Sequence, residues 1–517
     1  MSPSLPNQQK TILGHPVGLY ILFFTELWER FSFYGMKALL IFYLVKYHLF
    51  SDSAGNLLVG SYAAMVYAMP VLGGYIADKY LGFRKAVIFG GVMLVLGHLG
   101  MAYEGNAATE SLTGEIVRDD VALQVFYLSL SFIILGVGFL KANVSSLVGE
   151  LYEEGDIRRD SGFTIFYMGI NLGSFVSTLL CTWLGEVYGW SYGFGAAGIG
   201  MVLGLVTFIW GKKYLEGKGE PKDPEAIQKK NAMGISKEWS IYLISILSTG
   251  IIWFLVQEHD FVQILLISGA VISFAFIMYM LFQLDKVARE RLIALTILII
   301  FSIVFWSLFE QAYMSLNLFA DRVLDREIFG IEIKAGQFLS LNALFIILFA
   351  PVFSWLWVKL GKLNPNTAVK FSLAIILVAL GFGALVLGIN VSDLGKVGMW
   401  WLVLAYLLHT WGELCLSPVG LSAVTKLSPP KIVGFMMGVW FLATAGSEFI
   451  ASILSNLASI ETAPGAEMDL ALAKESYLSL YEYLFYSGLG FGLLLLIISP
   501  LVKKLMHGVD KEITKVE

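Results

Sequence analysis

E-L-W-E-R-F-S-F-Y-G-M-K, residues 26–37, lies inside an apolar segment that starts near Pro16 and ends near Val45. It puts four charges, Glu26, Glu29, Arg30 and Lys37, where a lipid-spanning helix should carry none. At about 100° per residue, with Glu26 at zero, Glu29 falls near roughly −60°, Arg30 near +40°, Phe33 near −20°, Tyr34 near +80° and Lys37 near +20°. All four charges share one face, and Trp28, Phe31 and Gly35 lie on the other. A charge at the bilayer centre costs about 3 kcal/mol even on lenient scales, so this face must point into protein or water and have partners there. A ladder of salt bridges that only ties helices together is the structural alternative to a functional site.

The rest of the chain has the character of that segment. Its 517 residues are 57% hydrophobic and 15% charged, with a mean hydropathy of +0.74. No soluble domain of that length has such a composition, which marks a polytopic, all-helical membrane protein. The net charge of −5 is small and the basic residues are spread over short loops, which excludes nucleic acid as a partner. Cys181 and Cys415 lie in apolar segments of different halves, so neither a disulfide framework nor a metal-ligand spacing is present and no cofactor is expected. The start of the chain lacks a basic, apolar and small-residue leader pattern, so the first apolar segment is expected to be retained.

Apolar windows long enough to cross about 30 Å of hydrocarbon fall near 16–45, 57–77, 86–103, 121–148, 161–183, 191–210, 239–256, 261–284, 292–319, 335–358, 368–389, 399–424, 434–457 and 478–502, which makes fourteen spans. An even count puts both termini on one side. That side holds 25 of the 35 Lys and Arg residues, the opposite side 7, and the remaining 3 are Arg30, Lys37 and Lys141 within spans. By the positive-inside rule both termini are cytoplasmic, with lipid as the surrounding partner. The Lys-, Gly- and Pro-rich connection at 211–238 follows span six and reads as a linker between half-proteins. Spans seven and eight carry no charge in their cores, whereas spans one, four, nine and twelve do. The expected layout is a tail (1–15), a six-helix bundle (16–210), the linker (211–238), two inserted helices (239–284), a second six-helix bundle (285–502) and a tail (503–517).

After span two, G-Y-I-A-D-K-Y-L-G-F-R-K, with Gly74, Asp78, Gly82 and Arg84, resembles the loop signature of the major facilitator superfamily, departing from it at Lys79 and in the spacing to Gly82. The segment at 26–35 sharpens the likeness, because it resembles the E-x-x-E-R-F-x-Y-Y-G motif of the proton-dependent oligopeptide transporter (POT) family within that superfamily. G-F-L-K-A-N around Lys141, F-Y-M-G-I-N-L-G-S at 166–174, F-W-S-L-F-E-Q with Glu310, S-L-N-A-L-F-I before Ala350-Pro351, and G-E-L-C-L-S-P-V-G-L with Glu413 follow in order, so the resemblance covers nearly the whole chain. Two residues depart from it. Phe33 stands where the family usually has the first Tyr of a pair, and Gly60 where some members, notably animal ones, have a histidine.

The residues also make chemical sense unaided. A short zwitterionic peptide needs a cationic pocket for its carboxylate and an anionic one for its ammonium. Arg30, Lys37 and Lys141 supply cations from the first half, and Glu310 and Glu413 supply anions from the second. Asn171 and Asn342 can hydrogen-bond peptide groups or tie helices together. Tyr34, Tyr67, Trp306 and Trp440 offer amphipathic walls. Ser417 shares a helix face with Glu413 and with His409, a residue that tunes Glu413 or is simply packed. The resemblance implies that Glu413, Asn171 and Asn342 hold the peptide amino end and Arg30 and Lys141 the carboxylate end.

Together these readings give proton-coupled symport of di- and tripeptides, with peptide-like drugs as further ligands, by alternating access between two half-bundles. Glu26, Glu29, Arg30 and Glu310 are the expected proton-coupling groups. Lys141 with Glu413 forms the expected inner gate and Lys37 with Glu310 the outer one. The same fold carrying another small solute, such as nitrate or a peptide-like drug, is the alternative. An integral-membrane enzyme is disfavoured because the charges lie at mid-depth and in both halves, and no G-x-x-x-x-G-K-[ST] loop for ATP occurs.

Overall fold

The computed structural model describes residues 10–153, 155–393, 395–460 and 468–509; most of the two tails lies outside them. Sixteen helices follow one another among these residues: α1 Val17–Phe42, α2 Asp52–Ile76, α3 Phe83–Met101, α4 Asp120–Glu150, α5 Arg159–Tyr188, α6 Trp190–Gly211, α7 Pro224–Gln228, α8 Lys237–Gln257, α9 His259–Gln283, α10 Lys286–Phe309, α11 Ser315–Arg322, α12 Ser340–Leu360, α13 Thr367–Val391, α14 Trp400–Leu427, α15 Val433–Ser455 and α16 Leu470–Leu505. Loop polar residues start many of them. Ser51, Asp119, Ser236, Asp285, Asn366 and Asp469 each cap a helix by accepting from a backbone N–H in its first turn.

Among the described residues, thirteen helical segments are long and apolar enough to cross a membrane. The four charges of α1 keep it out of that set, although its 26 residues suffice in length. With α1 there are fourteen spans, matching the number read from the sequence. The ninth is not one continuous helix, as 292–319 implied. It breaks at Glu310–Tyr313, a single 3₁₀ turn, and resumes as the eight-residue α11. The last span is longer than 478–502, running through 36 residues of α16.

In the first bundle α1 packs on α5 and α6, and α3 on α4; in the second, α13 packs on α14 and α16. Small residues let the backbones approach: a Cβ added to Gly73 on α2 would lie 2.1 Å from the Gly138 carbonyl oxygen on α4. The inserted helices straddle the halves, α8 lying against α4 and α9 against α15. Of its 25 residues α9 fully buries only Val262 and Ile277, so it lies at the edge of the packed core. The linker folds back over the loop after α2. Lys222 pairs with Asp78 at 2.7 Å, Arg84 pairs with Glu220, and Gly82, at φ 73°, leaves no room for a side chain beneath Pro221. Asp78 of the signature loop thus pairs with the linker.

Candidate functional site

The charged face of α1 is buried along its length. Arg30 Nε donates to Glu26 Oε1 at 2.8 Å, one helical turn away. It also lies 2.6 Å from Glu29 Oε2. That second contact is electrostatic only, since neither Glu29 carboxylate oxygen has a hydrogen-bond partner among the described residues. Adjacent residues point around the helix, and Glu29 cannot align with the guanidinium N–H.

Two cavities meet at this face. The first, of about 250 Å³, is lined by Glu26, Arg30, Tyr34, Lys141, Asn171, Asn342 and Glu413 among others. The second, of about 270 Å³, is lined by Tyr67, Lys141, Trp306, Glu310, Ser417, Trp440 and Glu448 among others. Lys141 belongs to both, with its Nζ 4.1 Å from the centre of the Tyr67 ring. All twelve candidate substrate contacts therefore line the two cavities except Lys37, which is buried between α1 and the second bundle. Glu413 accepts from Asn342 Nδ2 at 2.9 Å, so Asn342 ties α12 to α14 and aims the carboxylate. Asn171 donates to the Tyr167 carbonyl on its own helix and so ties no helices together. His409 packs with its ring 4.9 Å from that of Phe382, away from both cavities.

Lys141 and Glu413 face the same cavity without an ion pair between them. The cavity they share continues toward the side of the termini. Ser145 of the first cavity also lines a wider opening of about 490 Å³, formed with Ser146, Gly149, Glu150, Arg159 and Phe163, at the α4–α5 end near the N-terminal segment.

On the opposite side the halves are joined. Lys37 Nζ donates to Glu310 Oε2 at 3.0 Å and to Glu448 Oε1 at 3.1 Å. Further out, Arg322 holds both oxygens of Asp52 at 2.6 Å each, and Lys46 pairs with Asp321 at 2.7 Å. Gln311, within the break in the ninth span, donates to the Ala451 carbonyl at 2.8 Å and accepts from Ser455 at 2.7 Å, which fixes the break to α15. Gly60 on α2 also sits against α15, where an added Cβ would lie 2.4 Å from Ser452. A histidine has no room there in this packing.

Glu448, Gln311 and the Asp52–Arg322 pair are absent from the site read from the sequence. Glu448 is a carboxylate inside span thirteen, and a uniform search of every span for ionisable residues finds it. The Asp52–Arg322 pair joins two loop-end residues 270 positions apart, and nothing in either local sequence points to the other. Among the described residues, no group of three or more His, Cys, Asp or Glu could hold a metal ion.

Two helical bundles closed on one side and open on the other, around a charged cavity lined by residues of both halves, define a membrane transporter of the major facilitator fold. The chain belongs to the POT family, whose profile (PTR2) matches residues 84–468. It is 38% identical over 514 residues to the uncharacterized transporter YclF of Bacillus subtilis, covering 97% of each chain. It is 35% identical over 477 residues to the peptide transporter YePEPT of Yersinia enterocolitica, covering 86% of this chain and 88% of that one. A crystal structure of a peptide transporter POT, a Glu-to-Gln mutant in complex with alafosfalin, superposes with a TM-score of 0.81 at 36% identity, covering 97% of this chain and 98% of that one.

Proposed function

We propose that the chain is a proton-coupled symporter that carries di- and tripeptides into the cytoplasm by alternating access, with both termini cytoplasmic in a bacterial inner membrane. One observation carries this reading: Arg30 and Lys141 from one half and Glu413 from the other line a single cavity. Cations take the peptide carboxylate and Glu413 takes the ammonium, while Asn171 and Asn342 bond the peptide groups between. Tyr34, Tyr67, Trp306, Ser417 and Trp440 face varied side chains. Nitrate suits the site less well, because Glu413 would repel it and nitrate carries no ammonium to offset the carboxylate.

With the termini inside, the conformation described is inward-open. Lys37 and Glu310 act as the outer gate. Protonating Glu310 from outside removes its attraction for Lys37 and favours opening outward; the proton leaves inward before the pair re-forms. Glu26 and Glu29 flank one guanidinium, which cannot neutralise both, so this cluster takes up the second exchangeable proton. Lys141 and Glu413 act as the inner gate and pair when the halves rock together on the inside. A peptide ammonium arriving at Glu413 displaces Lys141 and loosens that gate. The potential alone supplies about 2.3 kcal/mol per charge per 100 mV, enough for roughly 45-fold accumulation per net charge.

The test is uptake of labelled dialanine into proteoliposomes. Accumulation is expected with an inward proton gradient and to collapse when the gradient is dissipated, and Glu310→Gln should abolish it. Nitrate displacing dialanine as well as a second dipeptide does would reverse the choice of substrate.

A further inference from the structure

Away from the charged site, α9, α10 and α15 enclose a cavity of about 360 Å³. None of its lining residues carries a charge and all but three are apolar; Thr296, one of the three, spends its hydroxyl on the Leu292 carbonyl at 2.8 Å. The cavity opens outward past Ile267, Phe274, Ile300 and Ile453, all of them exposed. A Cβ added to Gly269 on α9 would lie 3.2 Å from Leu442 on α15, whereas one added to Gly446 on the cavity wall would meet nothing within 4 Å. Along α9 the lining runs from Gln263 to Ile277, about 21 Å at 1.5 Å per residue. A helix of about 10 Å diameter over that length fills roughly 1,600 Å³, so the space fits an extended chain and not a helix of a neighbouring protein.

The end of α10 nearest the termini carries what such a chain needs for its headgroup. The far end of α16 lies there, since His507 pairs with Glu290. Arg289 is exposed and has no ion-pair partner among the described residues. Its acidic neighbours are engaged, Asp285 in capping α10 and Glu290 with His507. At about 100° per residue Arg289 lies within about 40° of Thr296, Ile300 and Ile303, on the stripe of α10 that lines the cavity. Along that stripe the cavity begins about 10 Å and ends about 21 Å from Arg289. One leaflet of hydrocarbon is about 15 Å deep, half of about 30 Å, so a tail anchored at Arg289 ends inside the cavity.

We propose that this cavity holds one acyl chain of an anionic phospholipid from the leaflet on the side of the termini, with the phosphate at Arg289. A zwitterionic lipid brings its own ammonium to the phosphate and gains less from a guanidinium. The inserted helix α9 thus forms the outer wall of a lipid site on α15, the helix that carries Glu448 against Lys37.

The test uses the full chain in liposomes with a trace of phosphatidylglycerol or of phosphatidylcholine, each bearing a photoreactive diazirine near the end of one acyl chain, and maps the modified residues by mass spectrometry. Phosphatidylglycerol should label the cavity walls on α9 and α15 about fivefold more than phosphatidylcholine, the factor that one basic residue at an anionic surface is worth. Arg289→Gln should bring the two lipids level. Gly446→Leu, and Ala270→Leu from the facing wall, should each fill the space and cut labelling there severalfold. Equal labelling by the two lipids in the unaltered protein, or a preference that survives Arg289→Gln, overturns the headgroup assignment. Labelling untouched by both filling substitutions puts the tail elsewhere and overturns the site. Disulfide-linked pairs of Ile267→Cys chains in the same liposomes would give the cavity to a second copy instead, and equally overturn the proposal.

Discussion

Replacing Asp52 with Asn should shift the resting conformation from outer-closed toward outer-open. In the closed arrangement the Asp52 carboxylate accepts two bonds from Arg322 and a third from the Ile460 backbone N–H at 3.1 Å. The Arg322 and Asp52 side chains are only 9% and 4% exposed, so water replaces little of what is lost. Breaking a buried, bidentate charge pair by removing one partner costs about 3 kcal/mol at the low end. On opening, Arg322 regains water, so most of that cost falls on the closed state. At about 1.4 kcal/mol per factor of ten this is a shift of roughly a hundredfold, enough to bring a 99:1 resting preference close to parity. Spin labels on cysteines placed at Leu112 and Phe329, exposed residues in loops of opposite halves, report the opening as a second, longer distance population. Native Cys181 and Cys415 are buried, which limits background labelling. A distance distribution identical to that of the parent would refute the reasoning, and so would a fully open population at neutral pH from this one change.

Three further outcomes are expected. Glu29→Gln should lose gradient-driven accumulation while retaining counterflow exchange of peptide, measured in the same liposomes; normal accumulation against a gradient removes Glu29 from the proton path. Lys141→Ala should lower driven dialanine uptake by at least about tenfold, since a charge-assisted contact to substrate is worth about 1.5–3 kcal/mol; unimpaired uptake would free Lys141 of both its roles. Gly60→Val should cost about 1–3 kcal/mol in the outer-closed packing, because its side chain meets Ser452 and the Glu448 carbonyl oxygen. The label pair at 112 and 329 should therefore also lengthen in that variant, and an unchanged distance would mean that α2 and α15 part more readily than their contact implies.

The span count, the insertion and the charged cavity were legible because hydropathy and in-span charge are local properties. Even the misfit of α1 with a plain hydropathy criterion was a signal, since its charges are the reason it fails. What the sequence hid is long-range. Lys37 meets a carboxylate 411 positions later, and Asp52 meets Arg322 only because the start of α2 lies beside the end of α11. The break at Glu310 was hidden for another reason. Q-A-Y-M-S contains neither Gly nor Pro, and the turn is held by the Gln311 contacts to α15, not by local propensity. Lys141 and Glu413 form no ion pair in the conformation described, and their pairing belongs to the proposal alone.

That break also has a mechanical consequence. The segment beyond it, α11, is eight residues long, which at 1.5 Å per residue makes a lever arm of about 12 Å pivoting on a single 3₁₀ turn. A tilt of about 20° at the pivot carries its tip some 4 Å, by the same geometry. Asp321 and Arg322 ride on that tip, and their bonds to Lys46 and Asp52 are 2.6–2.7 Å long. A swing of the stub alone is therefore enough to unfasten the outermost contacts while the two bundles have barely begun to turn. In the outer gate proposed above, release would then run from the rim inward, with the buried lysine let go last.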